Sequence, residues 1–256
     1  MQNRWIPLEG AANVRDLGGL PTHDGGVTRF GRVLRADNLQ GLTEADVTVL
    51  AGLGVGHVLD LRTDIELRRE GPGPLTRTQV KHHHLSLFTD EFDGPAISSD
   101  ALLPWQKRDA QRGQLDRALG IYHGYLRDRS DSVLAALRVM AHEEDGAIVH
   151  CAAGKDRTGI IAALALAAVG VTRAAIVADY ALTGERIDAI LARLRASETY
   201  RHSLEDRTPD SHRPHPFLME RFLDELDAAH GGALPWLTAR GWTGSDTEAL
   251  RVRLLA

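Results

Sequence analysis

The chain has 256 residues, of which 43% are hydrophobic, so it is long enough to bury one sizeable core. Its formal net charge of -5 argues against general nucleic-acid binding. The single cysteine excludes an internal disulfide framework and indicates a reducing compartment. No Ser/Gly-rich or highly charged linker divides the sequence, which predicts one domain over residues 1–256.

The hydropathy of the chain predicts a cytoplasmic protein without an integral membrane segment. Residues 1–10 lack the apolar run of a signal peptide. The longest apolar stretch, 160–169, is too short to span a bilayer.

Predicted strands and helices alternate in the first half of the chain, which is typical of an α/β fold. In chain order they are a pair of short strands around Gly31 over 26–34, a helix capped by Thr43 over 44–53, a buried strand over 57–62, a short polar helix over 64–70 and a strand over 80–88. Three consecutive histidines at 82–84 alternate between the faces of that last strand. They therefore cannot all bind one ion, and we expect no metal site there.

Helices dominate the prediction for the second half. Loop residues at 93–100 precede an insertion, to about residue 130, whose apolar residues recur at helical intervals: Leu102, Leu103, Trp105, Leu115, Leu119, Tyr122 and Leu126. The elements that follow are a helix capped by Asp131 or Ser132, a strand over 147–150, a buried helix over 160–169, a helix capped by Thr172, a helix over 187–194, a surface loop over 207–216 and closing helices over 217–229 and 246–255.

The segment HCAAGKDRTG at 150–159 is the most informative part of the sequence, because it places Cys151 six positions before Arg157. A loop of this length can direct several N–H groups at an anion, and the helix after it adds the positive end of its dipole. Arg157 can hold two phosphate oxygens through its planar guanidinium. Such a loop favours the thiolate of Cys151, which is the nucleophilic form. Its position between a strand and a helix is where open α/β sheets bind ligands.

These ten residues resemble the signature of bacterial tyrosine phosphatases of the dual-specificity type. A second match lies in NVRDLGG at 13–19, followed by RADNL at 35–39, LDLR at 59–62 and Asp179-Tyr180, so the resemblance runs from about residue 8 to about residue 190. It implies the cysteine-phosphatase fold, with a central, mostly parallel sheet flanked by helices. It also implies that residues 91–130 form a helical lid over the active site. Alternatively, this insertion packs permanently as ordinary helices of the domain.

The resemblance implies a two-step hydrolysis of phosphate monoesters that needs no metal or other cofactor. Cys151 attacks phosphorus, and water then cleaves the cysteinyl-phosphate intermediate. Arg157 binds the phosphoryl oxygens together with the remaining loop residues Ala152, Ala153, Gly154, Lys155, Thr158 and Gly159. Thr158 could donate a hydrogen bond to the departing sulfur or cap the first turn of its own helix, and the sequence leaves both roles open.

The general acid has three candidates. Asp156 is the first choice, since the like charge of a bound phosphate dianion favours the protonated carboxyl group that a proton donor needs. Asp60 and Asp90 are the alternatives, because each lies near the carboxyl end of a predicted strand. Asp60 could instead form an ion pair that orders Arg62 or Arg15.

The expected partner is a phosphorylated protein that carries phosphotyrosine. Lys155 suggests phosphoinositides as a further substrate class, because phosphatases that accept these lipids often carry a basic residue in this loop. That lysine could equally be solvated or pair with a neighbouring carboxylate. Related phosphatases can leave the cell without a cleaved leader, so leaderless export is an alternative to the cytoplasm.

Two other functions have to be weighed against a phosphatase. A rhodanese-like sulfurtransferase also places an active cysteine in a strand-to-helix loop, but the Arg-Thr-Gly ending and the N-terminal motif argue against it. A non-catalytic, phosphate-binding pseudophosphatase usually lacks the cysteine or the arginine. Both Cys151 and Arg157 are present here.

Overall fold

The computed structural model describes residues 3–89, 111–204 and 212–256. Within these ranges the centre is a five-stranded sheet of β1 (Arg15–Asp16), β2 (Val33–Ala36), β3 (Val55–Asp60), β4 (Lys81–His84) and β5 (Gly146–His150). The order across the sheet is β1-β2-β5-β3-β4. Strand β1 is antiparallel to β2, and all other neighbours are parallel. The mostly parallel α/β sheet predicted from the sequence is therefore confirmed.

Helices flank this sheet. They are α1 (Glu44–Gly52), α2 (Asp64–Glu70), α3 (Gln111–Asp128), α4 (Ser130–His142), α5 (Asp156–Ala168), α6 (Arg173–Leu182), α7 (Ile187–Ala196), α8 (Pro216–His230), α9 (Ala233–Thr238) and α10 (Gly244–Leu254). The predicted caps at Thr43 and Thr172 are confirmed, because each hydroxyl accepts the backbone N–H three residues later. The short helix α9 lies outside the helices predicted from the sequence.

Both faces of β5, the central strand of the sheet, are buried. Ala147 and Val149 face the larger core cluster, which contains apolar side chains of α4 and α5. Ile148 points to the opposite cluster, with Leu50 of α1 and Val58 of β3. A parallel strand covered on both faces has to be apolar throughout, which explains the uninterrupted run of residues 147–149.

The pair of strands predicted over 26–34 is wrong. Strand β2 takes β1 as its antiparallel partner, so the second strand comes from an earlier part of the chain. Val27 and Thr28 make only isolated bridges, to Pro21 and Leu255. Long-range pairing with the sheet decides this arrangement, and the local turn signal at Gly31 does not reveal it.

Two predicted helix starts also differ from the structure. Helix α4 begins at Ser130 without a side-chain cap. The expected caps Asp131 and Ser132 instead accept hydrogen bonds from the guanidinium of Arg129, at 3.1 and 2.7 Å. Helix α5 begins at Asp156, before the apolar run at 160–169 that predicted it, because its first turn carries the polar residues of the phosphate loop.

The segment 91–130, predicted as a lid, lies partly outside the described residues. Its described part is α3, in which Leu119, Tyr122, Tyr125 and Leu126 are buried in the larger core cluster. These four residues pack as an ordinary helix of the protein, whereas movement of a lid stays a prediction. In the described part of the chain, no helix has both the length and the apolar character needed to cross a bilayer.

Candidate active site

The carboxyl ends of four parallel strands meet at one edge of the sheet. His150 at the end of β5 is level with Ala36 of β2 and Asp60 of β3, and Asp60 is level with His84 of β4. Cys151 follows directly after β5, and the loop it begins leads into α5. The predicted position of Cys151 between a strand and a helix therefore agrees with the structure, whereas its role as nucleophile stays a prediction.

Gly154 lets the loop pass close to strand β2. Its φ is +64°, in the left-handed region that favours glycine. A Cβ atom on this residue would lie 2.3 Å from the carbonyl oxygen of Ala36. Both the backbone conformation and the space therefore require glycine at this position.

The carbonyl oxygens of the loop are held on its outer side. The side chain of Asn13 donates to the carbonyls of Ala153 and Gly154 at 3.0 and 3.2 Å, and Arg35 donates to that of Gly154 at 2.7 Å. The backbone N–H of Asn38 donates to the carbonyl of Ala152 at 3.1 Å. Because a trans peptide points its C=O and N–H in opposite directions, the N–H groups of residues 153–155 are directed to the inner side. This geometry fits an anion-binding nest.

A buried ion-pair network fixes the two arginines of the N-terminal motifs. Asp179 on α6 accepts from Arg15 at 3.1 Å and from Arg35 at 2.6 Å, and Arg4 adds a third pair at 2.8 Å. Burial favours the neutral carboxyl, but the surrounding guanidinium groups outweigh it and hold the pKa of Asp179 well below its usual range. Arg35 thus connects Asp179 with the loop carbonyl of Gly154, which explains why these distant motifs occur together in one sequence.

Arg157 is held by a residue that the sequence analysis missed. Its Nη1 and Nη2 donate to Oε2 and Oε1 of Glu66 at 2.6 and 2.8 Å, and the hydroxyl of Tyr200 donates to Oε1 at 3.0 Å. Glu66 also completes the capping box at Thr63, the start of α2. The pattern Thr-X-X-Glu in the sequence signals that helix start, but it carries no information about Arg157.

The two carboxylate oxygens of Asp156 differ in their contacts, since one accepts a hydrogen bond and the other lies near the ammonium group of Lys155. The hydroxyl of Tyr122, on α3, donates to Oδ1. Oδ2 is buried without a hydrogen-bond partner among the described residues, and it lies 3.6 Å from Nζ of Lys155. Tyr122 is a second contact that the sequence analysis did not anticipate.

Both carboxylate oxygens of Asp60 accept hydrogen bonds from the guanidinium of Arg62. The guanidinium Nε donates to Oδ1 at 2.9 Å and Nη2 to Oδ2 at 2.5 Å, which is one of the ion pairs that the sequence left open. Burial favours the neutral acid, yet the charge of His150 and then the guanidinium of Arg62 outweigh it and hold the pKa of Asp60 well below its usual range. A carboxylate of this kind is a poor proton donor. Arg15, the other expected partner, is paired with Asp179, and Asp90 lies outside the described residues.

The comparison with known proteins identifies the family. The sequence profile of the tyrosine phosphatase family matches residues 6–256. The chain belongs to the tyrosine phosphatase family. It is 32% identical over 203 residues to the triple specificity protein phosphatase PtpB of Mycobacterium tuberculosis, which covers 73% of this chain and 72% of that protein. It is also 32% identical over 233 residues to a tyrosine-protein phosphatase of Nostoc commune, with 86% and 73% covered. The enzyme class is thus that of the protein tyrosine phosphatases, and the predicted resemblance is confirmed.

Lys155 of this phosphatase is not the solvated side chain that the sequence allowed. It is only 4% exposed, and its Nζ donates to the carbonyl of His212 at 3.0 Å. Burial lowers its pKa, which the neighbouring carboxylate of Asp156 partly opposes. The predicted alternative of a pair with a neighbouring carboxylate agrees with this geometry.

Thr158 does not cap its own helix. The cap of α5 is Lys155, without a side-chain hydrogen bond, and the Thr158 hydroxyl is buried without a hydrogen-bond partner in the described parts of the chain. The capping role, one of the two that the sequence left open for Thr158, is therefore wrong. The bond to the sulfur stays a prediction.

The three histidines of β4 contact different neighbours. His83 stacks on His57, with 3.1 Å between their ring nitrogens, whereas His84 contacts the carbonyl of Arg62 at 2.8 Å. Across residues 3–89, 111–204 and 212–256, no three His, Cys, Asp or Glu side chains are grouped as metal ligands. The histidines thus do not form one cluster.

Proposed function

We propose that the chain hydrolyses phosphotyrosine monoesters through a cysteinyl-phosphate intermediate, with Cys151 as nucleophile and Arg157 as phosphate ligand. The observation that carries this proposal is the loop between them, whose carbonyls are bonded outward by Asn13, Arg35 and Asn38. The N–H groups on its inner side and the guanidinium can stabilise the charge on the equatorial phosphoryl oxygens. In this proposal, residues 152–155, 158 and 159 surround the phosphoryl group.

In the first step, the Cys151 thiolate forms a bond to phosphorus while the bond to the ester oxygen breaks. Asp156 delivers the proton from Oδ2 to the leaving oxygen, because Tyr122 already occupies Oδ1. The leaving group departs as the neutral alcohol, and Asp156 is left as a carboxylate. No metal takes part in this step.

In the second step, water replaces the sulfur on phosphorus. The Asp156 carboxylate takes a proton from the attacking water, and the P–S bond breaks to give inorganic phosphate and the Cys151 thiolate. We propose that the Thr158 hydroxyl donates a hydrogen bond to this sulfur and so stabilises the departing thiolate. The Thr158 hydroxyl is buried and has no hydrogen-bond partner among the residues that the structure describes, which supports that role.

The substrates we propose are phosphotyrosine first, then phosphoserine or phosphothreonine and phosphoinositides. The proposal of several substrate classes is supported by the similarity to a protein named a triple specificity protein phosphatase. Assays with a phosphotyrosine peptide, a phosphoserine peptide and a phosphoinositide in micelles rank the three classes.

Hydrolysis of p-nitrophenyl phosphate by the wild type and by Cys151→Ser tests the mechanism. We expect Cys151→Ser to lose turnover while it retains tungstate binding, and we expect acid quenching of the wild type to trap phosphate on Cys151. EDTA should leave the rate unchanged. Turnover by Cys151→Ser would refute the assignment of Cys151 as nucleophile. Inhibition by EDTA would refute the metal-free mechanism.

A further inference from the structure

Tyr125 lies beside the phosphate loop, although the chemistry above makes no use of it. It sits on α3 and is 1% exposed. The ring of Phe88 contacts it edge-on, with 5.2 Å between centroids, and the ring of Tyr122 stacks on it at 6.2 Å. Phe88 in turn lies under the guanidinium of Arg157, with Cζ 5.7 Å from the ring centroid. This aromatic packing fixes the position of the Tyr125 ring relative to Arg157.

The hydroxyl of Tyr125 differs from those of the other three tyrosines, all of which are also buried. Tyr122 donates to Asp156, Tyr180 lies 3.1 Å from the Tyr122 hydroxyl, and Tyr200 donates to Glu66. Tyr125 Oη has no hydrogen-bond partner in the parts of the chain that the structure describes. A buried hydroxyl without a partner destabilises a protein, so it calls for an acceptor that arrives with a ligand.

The surroundings of this hydroxyl belong to the candidate active site. Tyr125 interacts electrostatically with Arg157, Asp156, Cys151 and Glu66. Burial raises its pKa well above the usual value, so the hydroxyl keeps its proton at neutral pH and can donate it to an anion. The anion that the proposed function brings between Cys151, Asp156 and Arg157 is the phosphoryl group.

We propose that Tyr125 is a further catalytic residue whose hydroxyl donates a hydrogen bond to a non-bridging oxygen of the bound phosphoryl group. This inference rests on the proposed function, since the site must admit a phosphate monoester. Tyr125 supplies a donor from α3, on an element separate from the loop that carries Cys151 and Arg157. It would therefore connect α3, the described part of the insertion, directly to the substrate.

Tyr125→Phe is a clean test, because it keeps both ring contacts and removes only an oxygen that has no hydrogen-bond partner within the described ranges. We expect kcat/KM for p-nitrophenyl phosphate to fall by about 10- to 100-fold, which is the usual effect of losing a hydrogen bond to a charged group. The affinity for tungstate, measured by calorimetry, should fall by about the same factor. The melting temperature should stay equal or rise, since no protein contact is lost.

Tyr122→Phe is the matched control. It removes the neighbouring hydroxyl that bonds Asp156, so it should slow poor leaving groups and leave tungstate affinity unchanged. A Tyr125→Phe enzyme with unchanged tungstate affinity would overturn the inference, as would a lower melting temperature, which would reveal a structural partner of the hydroxyl. Tungstate binding needs no turnover. Tungstate affinity therefore tests the role of Tyr125, whereas turnover by the wild type tests the proposed function, so the two can fail independently.

Discussion

Glu66 holds Arg157 at both terminal nitrogens of its guanidinium, at 2.6 and 2.8 Å, and neither side chain is more than 2% exposed. The pair joins α2 to the phosphate loop. A bidentate geometry fixes the plane of the guanidinium as well as its position. Glu66 thus orients the group that we propose to bind the phosphoryl oxygens.

We expect Glu66→Gln to impair both stability and turnover, because it leaves the buried charge of Arg157 unpaired. The free energy of unfolding should fall by about 3 to 5 kcal/mol. The loss of guanidinium orientation should lower kcat/KM by at least about 10-fold. Urea unfolding and p-nitrophenyl phosphate kinetics measure the two effects. Glu70→Gln on the same helix is the control, since Glu70 bonds Gln40 and Ser197 and does not contact Arg157. Equal behaviour of the two variants would show that Arg157 is oriented by other contacts.

Gly154→Ala should distort the loop at 150–159 through two separate effects, a steric clash and backbone strain. The added Cβ would meet the carbonyl of Ala36 at 2.3 Å, in addition to the cost of a positive φ. Gly170→Ala is the matched control, because Gly170 has a φ of +84° but open space around its Cβ position. We expect Gly154→Ala to lose tungstate binding and most activity, while Gly170→Ala loses only about 1 kcal/mol of stability. Full activity in Gly154→Ala would contradict the tight approach of the loop to β2.

Replacing the proposed acid should produce an effect that depends on the leaving group. Asp156→Asn cannot protonate the departing oxygen, so aryl phosphates with poor leaving groups should slow by about 100-fold or more. Esters of acidic phenols should be affected least. Asp60→Asn is the comparison. It breaks the ion pair with Arg62 and should lower stability without a leaving-group trend. A flat dependence for Asp156→Asn would transfer the role to Asp90.

The histidine before the nucleophile should make stability depend on pH in the mildly acidic range. Burial lowers the pKa of His150 to about 4, whereas an unfolded histidine titrates near about 6.5. Between these values the unfolded chain binds a proton that the folded protein does not. Stability should therefore be complete above about pH 6.5 and fall by roughly 3 kcal/mol as the pH drops to about 4.

His150→Gln should remove most of that dependence, because glutamine does not titrate. Unfolding free energies at about pH 7 and about pH 4.5 measure it, above the range in which Asp60 and Asp179 gain protons. His230→Gln, at an exposed position on α8, should keep the wild-type profile. A pH dependence that survives in His150→Gln would assign it to other groups.

The sequence predicted the position of the loop between β5 and α5, because the residues that define it are contiguous. The spacing from Cys151 to Arg157 and the strand and helix around them are local properties. The lack of space for a side chain at Gly154 is not, because it comes from the close approach to Ala36 on β2. The caps at Thr43 and Thr172 were also predictable, since a cap involves residues only three positions apart. The strand pair at 26–34 failed because β2 found its antiparallel partner in β1, outside that window.

By itself, then, the amino-acid order determined the family, the α/β sheet and the position of the anion loop at the end of β5. Only the tertiary structure decided which side chains serve that loop. Glu66 reaches Arg157 across 91 positions and Tyr122 reaches Asp156 across 34. It also separated Asp60, bound by Arg62, from Asp156, which keeps one oxygen without a hydrogen bond in the described structure. The physical reason is that hydrogen bonds and ion pairs act over about 3 Å in space, and the distance between residues along the chain does not predict that separation.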